Sequence, residues 1–258
     1  MFSDRVAALG RVLRAYDGGM LVALSGGVDS AVLLAAAAEV WPGRVWAATT
    51  ASPAVPDEEV EAARAVADRL RVPHQIVATH EMEREDYRRN GGDRCYFCRV
   101  EMYQRLRATA TAADLTWLAD GLQAEDVVLD RPGVRAATEG GVIHPLREAG
   151  LSKAQIRRLA RAYGLSVHAK PAQPCLSSRL PVGVAVTVDR LRRVERAERA
   201  VKALGFSIVR VRCERDHGRV EVGRDELARA RTEETGIRAA VIDAGFETAA
   251  LDPTGYGA

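Results

Sequence analysis

The stretch Ser25-Gly26-Gly27-Val28-Asp29-Ser30 decides the fold of this 258-residue chain. It follows the apolar residues 20–24 and precedes an Ala/Leu-rich stretch, so it predicts a strand, a glycine turn and a helix start. Adjacent glycines let the backbone come close to a polyphosphate, and the unpaired N–H groups of a helix start attract its negative charge. We therefore expect a nucleotide to be bound by Ser25, Gly26, Gly27, Asp29 and Ser30.

This loop differs from the Walker loop of kinases and GTPases. A Walker loop needs the pattern G-x-x-x-x-G-K-S/T, and no lysine follows Gly26 and Gly27. The stretch resembles instead the pyrophosphate loop (PP-loop), S-G-G-x-D-S, of ATP pyrophosphatases. That resemblance implies that ATP is cleaved between its α and β phosphates, and that AMP is attached to a substrate oxygen and then displaced by a nucleophile. The competing interpretation is a tight turn in an ordinary strand-to-helix unit.

Strand-like and helix-like patterns alternate along the chain. Helical patterns, of which residues 57–70 are the clearest, separate short apolar runs at residues 21–24, 45–49, 74–78 and 116–119. This alternation predicts an α/β fold, a parallel sheet flanked by helices. A polar connection that we expect to be mobile covers residues 80–94, and a helix is predicted for residues 99–113.

The proline- and serine-containing stretch between residues 169 and 183 predicts a domain junction, which we place after residue 180. Residues 1–180 would form the PP-loop domain and carry the reactive cysteines. Residues 181–258 would form a smaller α+β domain with the order α-β-β-α-β, in which residues 224–244 form one helix. This second domain is expected to bind the substrate phosphate or to mediate oligomerisation.

Composition narrows the class of protein. A hydrophobic share of 47% with 28% charged residues is ordinary for a globular chain, and a net charge of +2 gives no global signal for nucleic acid. The longest apolar run, residues 31–38, is well short of the ~20 residues that span a bilayer. Charges near the start argue against a signal peptide. We therefore expect a cytoplasmic protein without a membrane segment.

The cysteines are the second group of candidate functional residues. Cys95 and Cys98 form a C-x-x-C motif, which can bind zinc, hold part of an iron–sulfur cluster or carry out dithiol redox chemistry. Cys175 lies near Lys170 and Arg179 in sequence, and positive charges favour the reactive thiolate. The competing interpretation of Cys175 is a small, inert core residue.

Four further motifs follow the loop along the chain. They are Arg94-Cys95-Tyr96-x-Cys98, Arg131-Pro132-Gly133, Pro145-Leu146-x-Glu148-x-Gly150-Leu151-Ser152-Lys153 and Lys170-Pro171-Ala172-x-x-Cys175-Leu176-x-Ser178-Arg179. In this order they resemble the LarE family of ATP-dependent sulfur transferases. The resemblance implies a small nucleotide substrate, pyridinium-3,5-biscarboxylic acid mononucleotide, whose two ring carboxylates become thiocarboxylates of a nickel-pincer nucleotide cofactor. It also implies a homo-oligomer.

The cysteine count distinguishes two subclasses of that family. In one, a lone cysteine at the position of Cys175 gives up its own sulfur; in the other, that cysteine and a C-x-x-C pair hold a 4Fe–4S cluster. This chain has all three, so the resemblance implies Cys95, Cys98 and Cys175 as cluster ligands, with Cys175 also catalytic and one iron open to a hydrosulfide. ATP and Mg²⁺ are the other implied cofactors, with Asp29 near the metal; the sulfur donor stays unknown.

The C-terminal part adds arginines and acids. Arg210 and Arg212 are two residues apart on a predicted strand, so they share one face. By spacing they match the family's substrate-phosphate arginines. Glu198 and Glu221 match its acidic active-site residues, which implies a catalytic role for Glu198 and metal binding by Glu221. The competing interpretation is a solvated face of Arg/Glu pairs. Cys213 alternates onto the apolar side of the strand and is expected to be structural.

Three other functions fit parts of the pattern. A tRNA 2-thiolation enzyme shares the loop and a three-cysteine cluster, but no appended RNA-binding module is evident, so we do not expect a nucleic-acid partner. An amide-forming ligase of the NAD synthetase kind shares the loop and needs no cluster. A nucleotide-binding regulator would release no pyrophosphate. Salt-dependent tRNA binding, iron content and pyrophosphate release distinguish these alternatives.

Overall fold

The structure is a computed structural model that describes residues 2–125 and 132–256. Its strands are β1 (Met20–Ala23), β2 (Val45–Ala51), β3 (His74–Ala78), β4 (Trp117–Ala119), β5 (Val209–Glu214), β6 (His217–Val222) and β7 (Thr248–Leu251). Its helices are α1 (Phe2–Arg14), α2 (Val28–Val40), α3 (Asp57–Leu70), α4 (Glu85–Arg88), α5 (Arg94–Ala112), α6 (Pro132–Glu139), α7 (Pro145–Glu148), α8 (Lys153–Ala162), α9 (Val188–Ala203), α10 (Leu227–Thr232) and α11 (Glu234–Asp243). The quoted motif residue Arg131 lies outside the described residues.

The first sheet is parallel and has the strand order β3-β2-β1-β4. Its central strand β1 pairs with both β2 and β4, and Leu21 and Val22 on it are fully buried. Parallel strands covered on both faces need apolar side chains throughout, which the short runs in the sequence supply. The predicted α/β fold, a parallel sheet flanked by helices, is therefore confirmed.

All four strands of this sheet run in one direction, so the segments that follow them lie at one edge. An isolated parallel bridge between Ala119 and Ile143 adds the residues before α7 to the same edge. In open α/β sheets, ligands bind outside the carboxyl ends of the strands. The turn after β1, which is the PP-loop, therefore lies where the fold class binds its ligands.

Helix starts and ends follow their local signals. Helix α3 has the predicted bounds. Asp57, Glu58 and Glu59 lie in its first turn, where their negative charges stabilise the helix by interacting with the positive end of its dipole. Ser152 caps α8 and forms a capping box with Gln155. These helix boundaries depend on a few local residues, so the sequence predicts them well.

The second sheet has the order β5-β6-β7, with β5 and β6 antiparallel and β6 and β7 parallel. Val209, Val211, Val220 and Val222 are fully buried and supply the apolar side of its first two strands. This agrees with the predicted small α+β element order.

The predicted single helix over residues 224–244 is wrong. A 3₁₀ turn at Arg224–Glu226 precedes α10, and α11 starts only at Glu234. The Thr232 hydroxyl donates to the Arg229 carbonyl, and Glu233 leaves helical geometry with φ of −102° and ψ of 12°. A threonine hydroxyl that hydrogen-bonds the backbone competes with the helix at this position.

The predicted helix start at residue 99 is also wrong, because α5 begins at Arg94. Gly91 and Gly92 break the helical pattern just before Arg94, whereas residues 95–99 contain no glycine or proline that would keep them out of the helix. The C-x-x-C motif therefore lies within the first turns of a helix. The preceding connection contains α4 and the buried residues Tyr87 and Asn90, so it is more structured than its polar sequence indicates.

The chain forms two compact units, Met1–Glu81 with Cys95–Gln173, and Met82–Arg94 with Pro174–Ala258. Within the second unit, the Asn90 side-chain amide donates to the carbonyls of Pro181 and Val184, both at 2.7 Å. Together with the backbone bonds from the Gly183 N–H to the Asn90 carbonyl and from the Val186 N–H to the Arg88 carbonyl, they explain why residues 82–94 cluster with the C-terminal part of the chain. The boundary after residue 180 stays a prediction for the functional domains.

Across the described part of the chain, no helix combines the length and apolar character that a membrane crossing needs.

Candidate functional site

The PP-loop connects β1 to α2 through a left-handed glycine. Gly26 has φ of +75°, and a Cβ atom there would lie 2.3 Å from the carbonyl oxygen of Glu59. Only glycine fits, because both the backbone angle and the close approach of α3 exclude a side chain. Gly27 caps α2 with extended backbone, and the first N–H groups of this 13-residue helix have no intrahelical partners. The turn can therefore bind an anion through its backbone.

The serines at the two ends of the loop hold its shape. The Ser25 N–H donates to Ser30 Oγ at 3.1 Å, and the two hydroxyl oxygens lie 3.1 Å apart. Ser30 Oγ also donates to the Gly27 carbonyl at 3.2 Å. These short-range bonds pre-organise the loop for a polyphosphate.

Two lysines from distant parts of the sequence approach the loop. Lys170 Nζ donates to the Gly26 carbonyl at 3.1 Å and pairs with Glu59 at 2.8 Å. Lys153 Nζ pairs with Asp29 Oδ2. The loop motif lacks the lysine of a Walker loop, but the fold supplies cations from α8 and from the segment after it. Both lysines belong to the sequence motifs, and Lys170 also lies near Cys175 in sequence, but no local pattern connects either lysine to the loop.

Asp29 has the chemistry of a magnesium ligand. Its Oδ2 accepts from Lys153, whereas its Oδ1 is buried and has no hydrogen-bond partner among the described residues. A carboxylate oxygen at a phosphate-binding loop suits Mg²⁺, which is usually held by one or two carboxylates together with the phosphates of its ligand. The residues present therefore fit the implied metal.

The loop after β4 is anchored beside the start of α2. Tyr103 donates to Asp120 Oδ2, and His144 Nδ1 lies against Oδ1, both at 2.7 Å. Burial alone would raise the pKa of Asp120, but the hydrogen bonds from His144 and Tyr103 hold it below its usual value. A Cβ on Gly121 would lie 2.7 Å from the Ser30 nitrogen. Asp120 therefore fixes the backbone next to the PP-loop.

The four cysteines lie in different settings. Cys95 is exposed and Cys98 half-buried on the first turns of α5, and their spacing of three residues places them on one side of the helix. Cys175 is half-buried and precedes a 3₁₀ turn at Leu176–Arg179. Cys213 is fully buried, which raises the pKa of its thiol and supports a structural role.

Neither unit by itself contains, among its described residues, a group of three His, Cys, Asp or Glu side chains arranged to hold a metal ion. The structure brings Cys95 and Cys98 together within the first unit, and it places Cys175 in the second. The donors fit the implied cluster in chemical type, because cysteine thiolates are the usual ligands of iron–sulfur clusters.

The predicted acids and arginines of the second unit form a cluster that includes Arg179. Arg179 donates from Nε and Nη2 to the two carboxylate oxygens of Glu198, at 2.7 and 3.0 Å. Glu198 also accepts from the Val211 N–H at 3.0 Å. Arg210 is only 2% exposed. Its burial lowers the pKa of its guanidinium, and the nearby positive charge of Arg179 lowers that pKa further. These side chains are buried, so a solvated face is the wrong interpretation for them.

Arg212 and Glu221 form a second pair in the same unit. Arg212 donates from Nε and Nη2 to Glu221, both at 2.9 Å, and from Nη1 to the Ser178 carbonyl at 3.0 Å. Arg210 lies opposite Glu221 in the β5–β6 register. The structure thus brings together Glu198, Arg210, Arg212 and Glu221 with Arg179, which the sequence indicates only as a motif residue and a positive charge near Cys175.

These features define the class of protein. A parallel sheet whose central strand leads through S-G-G-V-D-S into a helix, with the N–H groups of the helix start at the turn, is a PP-loop ATP-binding fold. Consistent with this class, the asparagine synthase family model matches residues 10–90.

Similarity to known proteins narrows the class to a family. The chain is 40% identical over 207 residues to an uncharacterized protein of Synechocystis, covering 80% of this chain and 77% of that protein. It is 31% identical over 237 residues to the pyridinium-3,5-bisthiocarboxylic acid mononucleotide synthase of Lactiplantibacillus plantarum, covering 91% of this chain and 86% of that protein. An uncharacterized protein of Methanocaldococcus jannaschii is 24% identical over 164 residues, 64% of each chain. The chain belongs to the LarE family of PP-loop proteins and is an ATP-using enzyme.

Proposed function

We propose that this enzyme converts the carboxylates of pyridinium-3,5-biscarboxylic acid mononucleotide to thiocarboxylates at the expense of ATP. The observation that carries the proposal is the 31% identity over 91% of the chain to the synthase from L. plantarum. The proposal is also supported by the pre-organised PP-loop. A further support is the presence of Cys95, Cys98 and Cys175, to which the family resemblance assigns sulfur transfer.

The first step is activation of the carboxylate. A carboxylate oxygen of the substrate attacks the α-phosphorus of ATP, and the bond between the α and β phosphates breaks to release pyrophosphate. The loop from Ser25 to Ser30 would hold the phosphates through its backbone N–H groups. Asp29 would hold Mg²⁺, which neutralises charge on the departing pyrophosphate. Lys153 and Lys170 add positive charge beside the loop.

The second step is displacement of AMP. A sulfur nucleophile attacks the carbonyl carbon of the acyl adenylate, a C–S bond forms, and the C–O bond breaks as AMP leaves. Adenylation makes this possible, because AMP is a far better leaving group than an oxide ion. The cysteines Cys95, Cys98 and Cys175 would hold a 4Fe–4S cluster, which when bound supplies an open iron site for the sulfur nucleophile.

The acid–arginine cluster of the second unit would bind the rest of the substrate. Arg210 and Arg212 would contact the mononucleotide phosphate, which must compete with Glu221 for the Arg212 guanidinium. Glu198 would orient substrate or cofactor groups, and Glu221 would bind metal. The homo-oligomer implied by the family resemblance is part of the same proposal.

Anaerobic purification tests the cluster. We expect wild-type protein to be brown and to contain stoichiometric iron and acid-labile sulfide, and Cys175→Ala to lose most of both, because a cluster with two remaining thiolates is poorly held. Cys213→Ala is the matched control: its thiol is fully buried and donates to the Arg215 carbonyl, so its iron content should match the wild type. Colourless wild-type protein after anaerobic reconstitution with iron and sulfide would overturn the cluster and favour Cys175 as a sacrificial sulfur donor.

A further inference from the structure

A buried carboxylate lies at the carboxyl edge of the parallel sheet, beyond β3. Glu81 begins the 3₁₀ turn Glu81–Glu83 and is only 2% exposed. Its Oε1 accepts a hydrogen bond from the Ser52 hydroxyl, which follows the neighbouring strand β2. Its Oε2 is buried and has no hydrogen-bond partner among residues 2–125 and 132–256. The second oxygen of Glu81 is thus an acceptor without a donor.

Ser52 cannot supply the missing donor. Its single hydroxyl hydrogen goes to Glu81 Oε1, and its oxygen accepts from the Ala54 N–H at 3.2 Å. A buried carboxylate oxygen without a donor is unfavourable, because the group has left water without regaining an equivalent interaction. Because this group lies at the edge of the sheet where ligands bind, it indicates a ligand that donates a hydrogen bond to Glu81 Oε2.

The position of the pair selects the part of the ligand. The PP-loop follows β1, and Ser52 and Glu81 follow β2 and β3, the next two strands on one side. Two strand spacings amount to roughly 10 Å, which a nucleoside spans when its phosphates are held at the loop. On the other side of β1, the Asp120 carboxylate already has donors on both oxygens.

We infer that Glu81, oriented by Ser52, accepts a hydrogen bond from the nucleoside of ATP and thereby contributes to nucleotide specificity. The donor is an O–H of the ribose or the amino N–H of adenine, since both present a hydrogen to a carboxylate. A cation is a poorer occupant, because no group of three His, Cys, Asp or Glu ligands forms within the described chain. The inference rests on the ATP use of the proposed function and is independent of its sulfur transfer.

Titration calorimetry of the full-length protein with ATP and Mg²⁺ tests this inference. ATP is compared with three analogues, which are 2′-deoxy-ATP, 3′-deoxy-ATP and purine riboside triphosphate; the last lacks the amino group of adenine. We expect the wild type to bind one of these analogues about tenfold or more weakly than it binds ATP. The first two analogues report a ribose donor and the third an adenine donor. Equal affinity for ATP and all three analogues would overturn the inference.

Variants separate recognition from a structural role. Glu81→Met should weaken ATP binding by about tenfold and abolish the difference in affinity between ATP and the analogues. The ligand-free variant should melt no lower than the wild type, because an uncompensated buried carboxylate is removed. Glu83→Met, in the same turn, is the control and should bind ATP like the wild type. Glu81→Met protein that binds ATP with wild-type affinity contradicts the inference. If that variant does not fold, the analogue series on wild-type protein decides.

Discussion

Replacement of Gly26 by alanine is expected to reduce ATP-dependent pyrophosphate release by about 100-fold or more, the scale of loss that follows a displacement of about 1 Å at a reacting centre. The added Cβ would lie 2.3 Å from the Glu59 carbonyl oxygen and 3.1 Å from its carbon. Those atoms are backbone of α3 and cannot rotate away. The loop must therefore shift, which also disturbs the bond between Lys170 and the Gly26 carbonyl.

Gly43→Ala is the matched control for this change. Gly43 has φ of +76°, almost identical to the +75° of Gly26, but a Cβ there meets no atom within 4 Å. Both variants carry the same left-handed backbone cost of about 1 kcal/mol, and only one carries the steric clash. Pyrophosphate release by Gly26→Ala at the level of Gly43→Ala would show that close packing on α3 does not shape the phosphate site.

Replacement of Arg179 by methionine is expected to lower the free energy of unfolding of the second unit by about 3–5 kcal/mol. Arg179 is 1% exposed, and its guanidinium donates to Glu198 and to the carbonyls of Pro174 and Cys175. Without it, the buried Glu198 carboxylate keeps the hydrogen bond from the Val211 N–H and the nearby charge of Arg210 but loses its bidentate partner. Hydrogen–deuterium exchange of amides in α9 and β5 measures the effect, because exchange there requires this unit to open.

Two further variants test the cause of this loss. The double variant Arg179→Met with Glu198→Leu should recover much of the stability, since replacing both members of a buried ion pair by apolar residues is often near neutral. Arg238→Ala removes an exposed pair with Glu234 and should change stability by less than about 0.5 kcal/mol. A double variant no more stable than Arg179→Met would mean that packing, and not the unpaired charge, causes the loss.

The parallel sheet and the phosphate loop were predictable because their signals are local. A strand, two glycines and a helix start lie within a few residues of Gly26, and each depends on backbone geometry that those residues impose. The Ser152 capping box and the bounds of α3 have the same origin. The alternation of strands and helices then permits few arrangements other than a parallel sheet.

Other features depend on tertiary contacts that the sequence does not display. Lys153 and Lys170 reach the loop from more than 120 residues away, and Glu81 meets Ser52 only because β2 and β3 are neighbours. The start of α5 was predicted too late because its cysteines and aromatic residues have only moderate helix propensity. The break after α10 depends on one threonine hydroxyl that bonds to the backbone.

The acid–arginine cluster lies between these cases. Alternation along β5 correctly placed Arg210 and Arg212 on one face, but it could not tell a buried face from a solvated one. The buried pair of Arg179 and Glu198 decides this, and it joins a 3₁₀ turn to α9 across 19 residues. The roles of Glu198, Arg210, Arg212 and Glu221 in substrate binding stay predictions that variants of each residue can test.

Sulfur incorporation into the substrate tests the central claim most directly. The anaerobic enzyme is incubated with ATP, Mg²⁺, sulfide and pyridinium-3,5-biscarboxylic acid mononucleotide, and the products are resolved by mass spectrometry. We predict species in which carboxylate oxygen is replaced by sulfur, with AMP and pyrophosphate formed in amounts equal to the oxygen replaced. Release of AMP and pyrophosphate without sulfur in the product, or formation of an amide when ammonia is supplied, would contradict the proposal that this PP-loop enzyme is a sulfur transferase.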